Sequence, residues 1–123
     1  MKKFEFKNNI LELDIAGEIF KIDAAATSTK LKHVAKKFDE VAKAFADKDN
    51  LDDNTVKIAC ETTCHCVDEI LGEGAMNRIL KSKDKVTFYD CMDVYMFVVE
   101  EIRHFNAQKG NQYKLNREQR RKK

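Results

Sequence analysis

Residues 87–110 read TFYDCMDVYMFVVEEIRHFNAQKG. Phe88, Cys91, Met92, Tyr95, Val98, Val99, Ile102 and Phe105 recur at spacings of three and four, the period of one helix face. Met96 and Phe97 broaden the stripe, which predicts a helix buried on more than one side. Thr87 is placed to cap its start and Gly110 to stop it. A helix this long and this apolar needs other helices to cover it.

The preceding segments supply them. In TSTKLKHVAKKFDEVAKAFADKD, residues 27–49, Leu31, Val34, Phe38, Val41 and Phe45 form a second helical stripe, with Thr27 or Ser28 as its cap. In NLDDNTVKIACETTCHCVDEILGEG, residues 50–74, the stripe is Val56, Ala59, Cys60, Thr63, Cys64, Val67, Ile70 and Leu71. Asp52, Asp53 or Asn54 caps that helix, and Gly72 and Gly74 end it. AMNRILKS then predicts a short helix carrying Met76, Ile79 and Leu80. Nearer the start, ILELDIAGEIFKID predicts strands at 10–15 and 18–22 about a turn at Ala16–Glu18, where Gly17 can take φ > 0. A weaker strand is expected at 4–7. Two or three strands are not stable alone in water and must pack on the helices or on another subunit.

The expected fold is therefore mainly α: a bundle of three to four helices with a small N-terminal β-hairpin. The absence of proline and tryptophan and the presence of only four glycines agree with long unbroken elements. The 123 residues fit one domain, read as 1–112, followed by a basic C-terminal tail, 113–123. That tail holds Lys114, Arg117, Arg120, Arg121, Lys122 and Lys123 against Glu118, a local +5. With a net charge of +2 overall, the other 112 residues carry −3. No apolar run is long enough for a membrane span or a signal peptide, which places the expected protein in the cytoplasm.

CETTCHC, residues 60–66, raises the question of chemistry. On a helix Cys60 and Cys64 share the core face, while Cys66 lies about 200° around from Cys64 and points away. No CxxC knuckle is present, and a tetrahedral zinc site lacks a fourth ligand. Cys60, Cys64 and Cys91 read as reduced, metal-free core residues, and His65 and Cys66 as half-exposed. No nucleophile with a base in reach and no phosphate loop is apparent, so neither catalysis nor a cofactor is expected. The basic tail could grip nucleic acid, but it is short, its only aromatic is Tyr113, and the rest of the chain is acidic.

Three segments resemble a family of small proteins from phages and prophages of Gram-positive bacteria. They are ILGEGAMNRIL (70–80), VTFYDCMDVYMFVVEEI (86–102) and the ending YKLNREQRRKK (113–123), with its Asn116-Arg117 and Gln119-Arg120-Arg121. The likeness covers roughly residues 28–121, and CETTCHC lies outside its pattern. Such proteins resemble tail assembly chaperones of phages with long, non-contractile tails. The resemblance implies a non-enzymatic protein that binds and solubilises the tape measure protein in the host cytoplasm. Tail tube subunits then displace it, and it is absent from the finished virion. The expected partners are the tape measure protein, the major tail tube protein and further copies of this chain. The alternative is a nucleic-acid-binding phage accessory protein using the basic tail.

Candidate contact residues follow from that role. Met76, Met92 and Met96 could form an adaptable surface for a helical client. Ile19 and Phe20 lie on a strand whose edge could join copies of the chain. Arg117, Arg120 and Arg121 could pair with client carboxylates.

Overall fold

The computed structural model describes residues 1–5, 9–46 and 52–121, and their side chains except at 45, 46 and 116–121. A hairpin of β1 (Ile10–Ile15) and β2 (Glu18–Asp23) leads into α1 (Ala24–Ala46), α2 (Asp53–Leu71), the short α3 (Ala75–Leu80) and the long α4 (Phe88–Arg121). The fold is thus mainly helical, with four helices and one two-stranded antiparallel sheet among the described residues. Phe4 and Glu5 are not in a strand, and the rest of the weaker strand predicted at 4–7 lies outside the described residues.

The hairpin turns on two residues. Ala16 and Gly17 both have positive φ, 53° and 87°, as a type I′ turn demands. The Asp14 carboxylate accepts the Gly17 N–H at 3.0 Å and fixes the turn. The register pairs Leu11 with Ile22 and Leu13 with Phe20. These four, with Ile15, form one face against the helices, while Asp14, Ile19, Glu12 and Lys21 face outward.

α1 begins one turn earlier than expected. Asp23, not Thr27 or Ser28, caps it: its carboxylate accepts from the N–H groups of Ala25 and Ala26 at 3.1 Å. Ala24–Ala26 are strong helix formers, so the helix grows directly from the end of β2. Thr27 is inside it, bonding back to the carbonyls of Asp23 and Ala24. Phe45, the last residue of the predicted stripe, is outside the residues whose side chains are described.

α2 is the central helix, packed by α1 on one side and α4 on the other. Asp52 caps it through the Thr55 N–H at 2.7 Å, and Gly72, at φ 119°, closes it by donating to the Asp68 carbonyl. The Asp68 carboxylate also accepts the Met76 N–H at 2.8 Å, which anchors the start of α3 to the end of α2. The main core joins the hairpin face, Val34, Val67, Ile70, Met76, Ile79, Tyr95, Val98 and Ile102. Phe38 stacks on Tyr95 with ring centroids 4.2 Å apart, and Asn106 donates to the Ala24 carbonyl, tying α4 to the start of α1.

α4 does not stop at Gly110. It continues to Arg121, a helix of 34 residues and about 51 Å. Gly110 costs such a helix about 1 kcal/mol relative to alanine, which Ala107, Gln108, Lys109 and Gln112, all tolerant of helix, can absorb. The helix therefore crosses the expected boundary between domain and tail at 112/113.

Thr87 caps α4 reciprocally with Asp90. The Thr87 N–H donates to the Asp90 carboxylate at 2.9 Å, and the Asp90 N–H donates to the Thr87 hydroxyl at 3.3 Å. Lys83 first, then Thr87, holds the Asp90 carboxyl down at about 2. A depressed carboxylate favours the folded state above its ordinary value and loses that contribution as pH falls through the folded one. Asp90→Asn is therefore expected to remove part of the fall in melting temperature between pH 3.8 and about 2. Circular dichroism melts across that window check it; parallel acid limbs for both proteins would show that the cap carries no linkage.

Candidate functional site

The sequence-derived contact residues do not form one surface. Met76 is 1% exposed and belongs to the core beneath α3. Phe20 is buried on the inner hairpin face, with the Arg78 guanidinium 5.0 Å from its ring centre and bonded to Glu18 at 2.8 Å. Both are thereby removed from any contact surface: α3 folds back over the hairpin, a consequence of the Asp68–Met76 anchor that helical periodicity does not reveal. Met92 is half-buried in a second small cluster with Val41, Ala59 and Phe88. Met96 at 42% and Ile19 at 53% are exposed. Arg117, Arg120 and Arg121 lie on the last turns of α4, outside the residues whose side chains are described.

The structure brings together a different set. An open cleft of about 330 Å³ runs between the second half of α1 and the first half of α2. Val41 and Ala44 from α1 and Ile58 and Ala59 from α2 form its apolar floor, and Lys37, Glu40, Thr55 and Thr62 flank it. Ile58 is 54% exposed. Its small neighbours Ala44 and Ala59 leave room for an inserted side chain. A second cleft shares Lys37 and Thr62 with the first and is acidic, lined by Asp68, Glu69 and Glu73 with His65 on its wall. Lys37 and Glu69 pair at 2.8 Å where the two clefts meet. That bond holds the Glu69 carboxyl below its usual range and raises the Lys37 ammonium. The combined surface is apolar at one end and anionic at the other.

Ile58 and Tyr89 were not among the sequence candidates, yet both are exposed. The signal was present for Ile58: it falls off the stripe of its helix, between Lys57 and Ala59. Tyr89, Met92 and Met96 stand at i, i+3 and i+7 on α4 and form a shallower ridge.

On the opposite flank of α2 the thiols meet. Cys64 Sγ lies 3.8 Å from Cys91 Sγ. Cys60 and Cys64 are half-buried, not fully inside. Cys66, expected to be half-exposed, is fully buried and donates toward the Val34 carbonyl at 3.8 Å. The reason is the central position of α2: Cys64 faces α4 while Cys66 faces α1, so a residue far around the helix still meets a neighbour. Burial pushes the Cys66 thiol up to about 11. His65, between them, is exposed. Among the described residues no group of three or more His, Cys, Asp or Glu is arranged to hold a metal ion. No described helix is long and apolar enough to cross a membrane.

Comparison with known proteins returns a match over residues 5–123 to a family described as a family of unknown function, DUF6673. No curated protein and no solved structure matches the chain.

Proposed function

Because the chain belongs to the DUF6673 family, whose description names no activity, we propose a function from its own sequence and surfaces: a tail assembly chaperone of a long-tailed phage. It binds and solubilises the tape measure protein in the host cytoplasm, without catalysis, and leaves before the virion is complete. The observation that carries the reading is the open α1–α2 cleft. A helical client seats apolar side chains at intervals of three and four residues, and a groove between two helices accepts them. The resemblance of segments 70–80, 86–102 and 113–123 to tail assembly chaperones supports the same reading. The acidic continuation at Asp68, Glu69 and Glu73 favours a client helix with cations beyond its apolar anchors.

Co-expression with the tape measure protein of the same phage tests it. The wild-type chain is expected to raise the soluble fraction of that client and to co-purify with it. Ile58→Asp puts a charge on the cleft floor at an exposed position, so the fold survives and capture falls by about tenfold or more. Equal client solubility with wild type, with Ile58→Asp and with an empty vector would end the proposal.

The same proposal assigns self-association to the hairpin. A two-residue turn makes Ile15 and Glu18 a hydrogen-bonded pair, so by alternation the Ile19 and Lys21 N–H groups point to the open edge of β2. Ile19→Pro removes one of those donors without removing a rung of the hairpin itself. Light scattering is expected to move to a smaller species at unchanged helical content. An unaltered oligomer distribution takes the hairpin out of assembly.

A further inference from the structure

We infer that Cys64 and Cys91 form an oxidisable pair, a modification site for low-molecular-weight disulfides, with Cys64 the attacking thiol and Cys91 the resolving one. The two residues come from different helices, α2 and α4, at their packed interface. Their sulfurs are 3.8 Å apart, and a disulfide needs about 2.05 Å. The two sulfurs must close by the difference of roughly 1.8 Å for the bond to form. Exposure sorts the roles. Cys64 is half-buried and reachable, whereas Cys91 is buried and meets a small molecule only through its neighbour.

The electrostatics agree with that order. The bond between the Cys91 and Cys64 sulfurs, in which either can be the donor, lowers the Cys64 thiol against burial and the nearby carboxylates of Asp68 and Glu61. The same bond, with burial, raises Cys91. Once Cys64 is in a mixed disulfide its negative charge is gone, and with it the partner that holds the Cys91 proton. Cys66 stands apart on the other flank of α2, against Val34. Cys60, one turn before Cys64 on the same face of α2, is the competing partner for Cys91.

With oxidised glutathione the steps balance. The Cys64 thiolate attacks one sulfur of glutathione disulfide, an S–S bond forms to Cys64, and one glutathione thiolate leaves and takes up the proton that Cys64 released. The Cys91 thiolate then attacks the Cys64 sulfur, and the second glutathione leaves, protonated at the expense of Cys91. The protein loses two electrons and two protons, and glutathione disulfide gains both.

Incubating the folded, full-length protein with oxidised glutathione, then alkylating free thiols and mapping by tandem mass spectrometry, tests the inference. The expected product is a chain lighter by two hydrogens, with Cys64 joined to Cys91 and with Cys60 and Cys66 alkylated. Cys91→Ala should stop at one glutathione on Cys64, with helical content retained. Four free thiols in the native chain, or a bridge mapped to Cys60, would overturn it. So would Cys91→Ala folding normally but carrying no glutathione at Cys64. If Cys91→Ala fails to fold, the wild-type map alone decides.

Discussion

Met76→Ala is expected to lower stability by about 3 kcal/mol, inside the range of roughly 2–5 kcal/mol for emptying a fully buried site. Met76 is 1% exposed, and its N–H anchors α3 to Asp68. A cavity there weakens α3, the hairpin face and α4 together, since all share one core cluster. For a chain of this size the midpoint should fall by about 10 °C. Met96→Ala is the control. That side chain is exposed, and its loss should stay within about 0.5 kcal/mol. Urea and thermal unfolding of the two variants check the contrast. Equal midpoints would mean that α3 does not cover the core.

This contrast marks where sequence reasoning stops. Periodicity assigns a side chain to a face of its own helix, and Val67, Ile70, Cys91, Tyr95, Val98 and Ile102 are all buried as their stripes require, whereas Met96 and Phe97, expected to widen the buried stripe of α4, are exposed because no described element covers that side. The hairpin was equally legible, because the turn chemistry at Ala16-Gly17 sets the register and the register sets the faces. What periodicity cannot assign is which elements fold over which. Met76 reads as a contact through the adaptability of methionine, and Phe20 through its place on an edge strand. The Asp68 carboxylate, eight residues before Met76, brings α3 over the core through one hydrogen bond that no stripe encodes.

Cys66 fails for a related reason. A single stripe assumes one covered face, but α2 has a neighbour on each side, so the residue pointing away from Cys64 points into α1. Local chemistry also decided two boundaries. Asp23 sits at the hinge between strand and helix, and its carboxylate claims two N–H groups before Thr27 can act. Gly110 is a stop signal only where the chain must turn; residues 111–115 are exposed, and α4 continues. Of the candidate surface, Ile58 was visible as an isoleucine off its stripe, whereas the cleft it overlooks depends on how α1 and α2 lie together.

On the proposed function, removing residues 114–123 is expected to weaken capture of the tape measure protein about tenfold, roughly 1.4 kcal/mol, and to leave the fold intact. Residues 110–115 are all exposed, and Ile102 is the last buried residue of α4 among the described side chains. The Asn106 bond to Ala24 also lies before the cut. The truncation therefore uncovers no core and should melt within about 0.5 kcal/mol of the full chain. It does remove all six cations between 113 and 123. A client that continues past the α1–α2 cleft can offer carboxylates to Arg117, Arg120 and Arg121, and guanidinium binds carboxylate through a planar fork. A DNA duplex fares worse, because the first 112 residues carry −3 and repel it. At most about six phosphate contacts remain, and their affinity falls roughly a thousandfold between 50 and 200 mM salt. Pull-down of co-expressed client beside a duplex-DNA shift assay at physiological salt separates the two uses of the tail. Undiminished client capture by the truncated chain, together with tight DNA binding by the full one, would transfer the basic turns of α4 from the client to nucleic acid.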